Sequence, residues 1–216
     1  MKKLYFVRHG ATGGNEKNEF QLGTIPLSDM GIKQAEFVAE RFKTIPIDVI
    51  LASDMKRASQ TAEIVSKTLK IKVIHSNLFQ EILRPSFVRG KKKDDSEVIK
   101  VMEEVKANFG NKERHHSDEE NFFDLKNRAI KCLEYFQTFK EENILIVTHG
   151  QLLNMLIAVM GLGDTMTPIQ FKLLQHFFIA KNTGITIVNE HKGEYFLMTW
   201  NDYTHLGDVD IKHVYS

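Results

Sequence analysis

The sequence predicts an α/β fold with a largely parallel central sheet and helices on both faces. Two observations lead there. Short apolar runs such as Leu4-Tyr5-Phe6-Val7 and Ile144-Leu145-Ile146-Val147 read as buried strands, and they alternate with amphipathic segments of helical period. Of the 216 residues, 42% are hydrophobic, enough for the core of one domain spanning 1–216.

Each element has its own signal. The first strand, Leu4-Tyr5-Phe6-Val7, ends at a glycine-containing turn, residues 10–14. Ser28 is placed to cap a helix whose Ala35, Val38, Ala39 and Phe42 recur at helical spacing, and Pro46 ends it. Asp48-Val49-Ile50-Leu51-Ala52 reads as a second buried strand. Residues 55–69 repeat the helical pattern through Ala58, Ala62, Val65 and Leu69, and residues 71–74 read as a third strand. Residues 84–118 differ in character: charged runs flank one amphipathic helix marked by Val98, Val101, Met102 and Val105, as in a helical cap or insertion. Ser117-Asp118-Glu119-Glu120 has the form of a capping box. It should open a helix with Phe122, Leu125, Ala129, Leu133 and Phe136 on one face and a buried Cys132 beside them. Residues 144–147 give the clearest strand. A helix follows from Gly150 through Leu152, Leu153, Leu156, Ile157 and Met160, and residues 185–188 and 195–200 are two further strands.

Bulk properties narrow the functional classes. A formal net charge of +1 offers no electrostatic argument for nucleic acid or a membrane surface. Anion binding must then come from a few locally placed cations. The single cysteine, Cys132, forms no intrachain disulfide, and a reducing cytoplasm is the simplest compartment. The opening apolar run stops at Arg8, short of the roughly 7–15 residues of a signal-peptide core. No run approaches the roughly 18 apolar residues of a membrane helix. A soluble protein is expected; a homodimer is compatible with it.

Three chemically loaded sites follow predicted strands: Arg8-His9-Gly10, then Ser53-Asp54 with Arg57 on the next helical turn, then Thr148-His149-Gly150. In parallel strands these share one rim of the sheet, where ligands of open α/β sheets bind. Two guanidiniums and two imidazoles would converge there, which suits a phosphate monoester. Arginine presents a planar fork matching phosphate oxygens, and helix N-termini near Arg57 and Gly150 add backbone N–H groups. Neighbouring cations disfavour imidazolium, so one histidine is kept neutral and nucleophilic. Phosphate monoesters are among the most inert esters, with enzymic accelerations up to ~10²¹; a covalent step backed by fixed cations answers that barrier. Glu81, after the third strand, is a candidate proton donor whose pKa a neighbouring dianion would raise.

Together these residues resemble the histidine phosphatase superfamily, which includes the cofactor-dependent phosphoglycerate mutases. Arg8-His9-Gly10-Ala11-Thr12-Gly13-Gly14-Asn15 matches the R-H-G-x-T-x-x-N opening. Pro26-Leu27-Ser28 with Gly31 and Gln34-Ala35 matches a second block. Ser53, Arg57-Ala58 and Thr61-Ala62 match a third; Glu81 and Thr148-His149-Gly150 complete the order. The resemblance implies a phosphoglycerate mutase-like fold, with His9 as the phosphorylated nucleophile. It implies a phosphate pocket of Arg8, Arg57 and His149, and Glu81 as proton donor. Asn15 and the backbone near Gly150 become phosphate contacts. No metal is implied, and no bound cofactor. Gln151 and Arg84 are added as candidate substrate contacts.

The chain departs from the mutase pattern in two places. Phe20-Gln21-Leu22-Gly23-Thr24-Ile25 replaces a Gln-Gly pair before Pro26. After Glu81 the chain reads Ile82-Leu83-Arg84-Pro85-Ser86, where mutases carry a Tyr-Gly-x-Leu-x-Gly-Leu-Asn-Lys-like segment. Hydrolysis of a small phosphorylated metabolite or a phosphoprotein is therefore favoured over mutation of phosphoglycerate. A non-catalytic phospho-ligand module is a third reading, but it has no need of a nucleophile and an acid together. Arg84, Arg89 and residues 91–93 either select an anionic substrate or form a solvated face. His115-His116 lack metal-ligand spacing. The turn after the first strand matches neither nucleotide-binding glycine motif. The Trp200-Asn201-Asp202-Tyr203-Thr204-His205-Leu206 segment resembles the tail of some family members and carries no assigned chemistry.

Overall fold

The computed structural model describes residues 1–16 and 18–210, with the side chains of 15, 16 and 208–210 outside the description. In chain order the elements are β1 (Lys2–Arg8), α1 (Gly13–Glu16), α2 (Asp29–Phe42), β2 (Val49–Ser53), α3 (Lys56–Leu69), β3 (Val73–Ser76), α4 (Ser96–Asn108), α5 (Phe122–Gln137), β4 (Asn143–Thr148), α6 (Gly150–Leu162), α7 (Pro168–Phe177), β5 (Ile185–His191) and β6 (Glu194–Asp202), joined by loops and short 3₁₀ turns. The strands form one six-stranded sheet in the order β3-β2-β4-β1-β5-β6. β3, β2, β4 and β1 are mutually parallel, and β5 and β6 add antiparallel strands at one edge.

Alternation within each strand feeds two cores. Leu4, Phe6, Leu51, Ile144 and Ile146 face α5, α6 and α7, where Phe79, Phe122, Phe136 and Phe171 are fully buried. Tyr5, Val7, Ile50, Ala52, Leu145 and Val147 face α2 and α3. Burying each large apolar side chain is worth about 1.5–3 kcal/mol, so the central strands are fixed from both faces. Register then sets the rim: Arg8 pairs with Thr148, and Ala52 with Val147, so β1, β2 and β4 end level. No helix among the described residues is long and apolar enough to cross a membrane.

Several sequence expectations need correction. The helix expected to open at residues 117–120 begins at Phe122. Asn121 is its N-cap and Asp124 returns the bond, a complete box four residues later. Glu119 instead accepts the backbone N–H groups of His116 and Ser117, and Glu120 pairs with Arg128. The third strand lies at 73–76, not 71–74, because Lys70 takes a left-handed φ of 59° and Ser66 Oγ holds the carbonyl of Ile71 in the connection. Leu133 is only partly buried, while Cys132 takes the interior place. α7 was not expected at all. Of its apolar residues only Phe171 is buried, while Ile169, Leu173 and Phe177, four residues apart, form an apolar stripe that faces outward.

Within 84–118, α4 builds its own small apolar cluster from Val88, Val98, Met102 and Val105, with Phe20 and Val101 against it. Asp95 caps the helix through Glu97 N and Val98 N. The basic stretch runs beside residues 18–20, through Phe20 N to Lys91 O, Gly90 N to Phe20 O and Lys93 N to Asn18 O.

Candidate active site

The backbone of the Arg8-His9-Gly10 turn is held before any side chain acts. His9 N donates to Thr148 O, Gly10 N to Thr61 Oγ1 at 3.1 Å, and Ala11 N to Gln34 Oε1 at 2.8 Å. Thr61 in turn donates to Arg57 O at 2.8 Å. A Cβ on Gly31 would sit 2.0 Å from Ala11 O, so only glycine lets α2 press its backbone on this turn. The second and third motif blocks thus serve largely as supports for the first.

His9 is 3% exposed and its ring orientation is unambiguous. Arg57 Nε, an obligate donor, gives its hydrogen to His9 Nε2 at 3.1 Å. Nε2 therefore carries the lone pair, and Nδ1–H donates to Gly10 O at 2.7 Å. Burial, then the charges of Arg57 and Arg8, hold the His9 pKa well below its ordinary value, although the Gly10 bond opposes this. His149 stands beside it with ring centroids 4.9 Å apart. It is fully buried, bonded through Nε2 to Ser53 Oγ at 2.9 Å, and kept neutral by burial first and by His9, Arg57 and Arg8 next.

Arg57 lies on the first turn of α3 and fixes its fork through Leu22 O at 3.1 Å and Met55 Sδ at 3.4 Å. Arg8 Nη1 donates to Ala180 O at 2.6 Å. Gly150 lies against the same guanidinium: a Cβ there would be 3.7 Å from Arg8 Nε. Arg8 Nε and His149 Nδ1 are buried without a hydrogen-bond partner among the described residues. Buried polar atoms normally have a partner, in the protein, in ordered water or in a ligand.

Glu81 sits at the N-terminus of α6. Its carboxylate accepts Gln151 N at 3.1 and 3.4 Å, and Ile82 N at 2.9 Å. The segment that carries it is anchored to the rim, since Thr148 Oγ1 donates to Phe79 O at 2.8 Å. Arg128 also binds Leu78 O, Gln80 O and, bidentately, Glu120. The pair leaves Arg128 and Glu120 about one-sixth exposed, at 15% and 17%. Neither residue signalled this role in the sequence, because the contact of Arg128 with Gln80 spans 48 residues.

The remaining candidates divide. Gln151 turns its side chain to Gln175 of α7 and offers Glu81 only its backbone N–H. Burial lowers the pKa of Arg84, and the nearby charges of Glu81 and Glu120 oppose this only in part. Arg89 is engaged in the fold, through Asp118 at 2.7 Å and Arg84 O at 2.8 Å. Lys91 rests over the Phe87 ring. The side chain of Asn15 lies outside the described residues. His115 and His116 pair with Asp124 and Glu104.

The depressed histidines make stability depend on pH. Beside His9 and His149, burial lowers His205 to about 4. The unfolded chain takes up protons at these positions near pH 6.5 that the folded chain refuses, so stability rises with pH through this range. The stabilisation is complete above about 6.5 and declines below it. The urea midpoint should fall as pH drops from 7.5 to 5; a flat profile over that window would refute the three neutral imidazoles.

The resulting geometry has counterparts among known proteins. The chain is 29% identical over 223 residues to the metal-independent phosphoserine phosphatase of Arabidopsis thaliana, covering 97% of this chain and 85% of that one. A phosphoserine phosphatase from Entamoeba histolytica, solved with phosphoserine and with 3-phosphoglyceric acid, superposes with a TM-score of 0.75 at 25% identity, covering 95% of this chain and 100% of its own. Bacillus stearothermophilus YhfR gives a TM-score of 0.78 at 25% identity, with the same coverage of 95% and 100%. The model of the histidine phosphatase superfamily, branch 1, matches residues 4–203. The chain belongs to the histidine phosphatase superfamily.

Proposed function

We propose that this protein is a metal-independent phosphomonoesterase that hydrolyses a small phosphorylated metabolite through a phosphohistidine on His9. The observation that carries the reading is the convergence at one rim of the Nε2 lone pair of His9, the fork of Arg57 and two orphaned buried nitrogens, Arg8 Nε and His149 Nδ1. A phosphate dianion can accept from the Arg57 fork, from Arg8 Nε–H and from a His149 Nδ1–H while its phosphorus faces the His9 lone pair. Among the described residues no three His, Cys, Asp or Glu side chains are grouped as a metal site requires; the positive charge comes from guanidiniums.

In the first step the Nε2 lone pair of His9 attacks phosphorus in line, and the bond to the ester oxygen breaks. Arg57 passes its N–H from Nε2 to a phosphoryl oxygen, and Arg8 and His149 share the equatorial charge. Protonated Glu81 gives its proton to the departing alcohol. In the second step ionised Glu81 takes a proton from water, whose oxygen attacks phosphorus; the P–N bond breaks and Nε2 recovers its lone pair. Hydrolysis rather than mutation agrees with the segment after Glu81. Its Ile82 and Val88 are buried, and Leu83 pairs with Glu120, so it packs into the fold. The small-metabolite class agrees with the relatives' phosphoserine and 3-phosphoglycerate.

Glu81→Gln tests this directly. With EDTA present, the wild type should release phosphate from both phosphoserine and an aryl phosphate. The variant should lose ~10²–10³-fold on the alkyl ester, whose leaving group needs the proton, and less than about tenfold on the aryl ester. Equal losses on both would remove Glu81 as donor, and loss of wild-type activity in EDTA, restored by a metal, would end the metal-independent reading.

A further inference from the structure

The reacting turn is gripped from a direction that the family motifs do not account for. Residues 180–183, just before β5, touch Arg8 and His9 three times. Thr183 N donates to Arg8 O at 2.8 Å, Asn182 Nδ2 donates to His9 O at 2.7 Å, and Ala180 O accepts Arg8 Nη1 at 2.6 Å. One short loop thus sets the main chain of both residues and the guanidinium of Arg8.

That loop does not hold its own shape. Thr183 is fully buried with φ at 54°, a conformation a β-branched residue avoids unless its surroundings impose it. The end of β6 and the turn after it supply the constraint. Asn201 Oδ1 accepts Lys181 N at 2.8 Å, His205 Nε2 shares a 3.1 Å hydrogen bond with Thr183 Oγ1, and Lys181 Nζ lies 3.7 Å from the centre of the Tyr203 ring. Gly184 makes room for this: a Cβ there would lie 1.9 Å from Asn201 Oδ1. Asn201 itself takes φ of 52°, which asparagine tolerates better than most residues. Arg41 of α2 meets Asp202 at 3.7 Å, and Leu206 is buried, so the segment is anchored to the body of the domain.

We propose that Asn201 and His205 are positioning residues for catalysis, holding the 180–184 loop in the one conformation that aims Arg8 and His9 at the phosphate. They touch no substrate. Their effect passes through three hydrogen bonds to the reacting turn, and it is absent from every motif that carries the chemistry. A displacement of Arg8 or His9 by about 1 Å is enough to cost ~10²-fold in rate. The inference rests on the reading of Arg8 and His9 as the reacting pair.

Two matched pairs of variants separate positioning from bulk stability. Asn201→Gly keeps the left-handed backbone but removes the acceptor for Lys181; Asn201→Asp keeps both. His205→Phe removes the bond to Thr183; His205→Gln retains a hydrogen-bonding group of similar reach. The measurements are kcat and KM on an aryl phosphate, and inhibition by inorganic phosphate, on protein shown to be folded. A rapid quench counts phosphorylated molecules. Expected for Asn201→Gly and His205→Phe is a loss of ~10²-fold in kcat/KM with weaker inhibition by inorganic phosphate. Every molecule should become phosphorylated, but slowly. Asn201→Asp and His205→Gln should stay within a few-fold of wild type. Wild-type rates and phosphate inhibition in Asn201→Gly or His205→Phe would overturn the proposal. So would a reduced fraction of competent molecules reacting at the normal rate, since that is a stability defect. Where one pair fails to fold, the other decides. Inhibition by phosphate reports Arg8 without turnover, so these outcomes stand apart from the test of His9 as nucleophile.

Discussion

His9→Ala should abolish turnover, by at least ~10⁴-fold in kcat, in a protein that still folds. The loss follows from the covalent route: without Nε2 there is nothing to accept the phosphoryl group, and the fixed cations alone would have to activate water for direct attack. Folding should survive because the backbone bonds at this position do not involve the ring. His9 N still donates to Thr148 O, and His9 O still accepts Asn182 Nδ2. Inorganic phosphate should still bind, through Arg8, Arg57 and His149. Mixing the wild type briefly with substrate and quenching in alkali should leave an acid-labile phosphate on the protein, and the alanine variant should show none. Turnover near the wild-type rate in His9→Ala would remove His9 from its role whatever the fold.

The parts of this site that were legible in the sequence are those whose signal is local. Arg8-His9-Gly10 and Thr148-His149-Gly150 follow uninterrupted apolar runs. Strands of that kind lie in the centre of a parallel sheet, so their ends had to meet at one rim. Ser28 as a helix cap was readable for the same reason, since Ser28 Oγ and Gly31 N are three residues apart. What escaped depends on long-range partners. The grip of Arg128 and Glu120 on the loop of Glu81, and of Asn182 on His9, joins residues whose spacing carries no period. α7 escaped although Ile169, Leu173 and Phe177 recur four residues apart; that stripe faces outward, and the helix is tied to the core mainly by Phe171. The helix start at Phe122 was misplaced because two adjacent boxes, 117–120 and 121–124, look alike until Glu120 is seen to be committed to Arg128.

Arg57→Ala should lower kcat/KM by ~10³-fold, and it should also move the pH dependence. Arg57 has two tasks that one bond joins. Its fork is aimed by Leu22 O and Met55 Sδ to receive phosphoryl oxygens, and its charge, after burial, is the largest influence lowering the His9 pKa. Removing the charge raises the pKa of His9. A nucleophile works only when unprotonated, so activity is then lost at a higher pH on the acid side than in the wild type. The profile of kcat/KM reports the free enzyme and so reads this pKa. Arg57→Lys separates the tasks. An ammonium restores a positive charge near His9 and should return the acid limb toward its wild-type position. It cannot reproduce the planar fork, so most of the rate loss should remain. If lysine restored the full rate, the fork geometry would be irrelevant and simple charge sufficient. If the acid limb of Arg57→Ala stayed where it is in the wild type, the neutrality of His9 would owe nothing to this guanidinium, and burial with the charge of Arg8 would have to account for it.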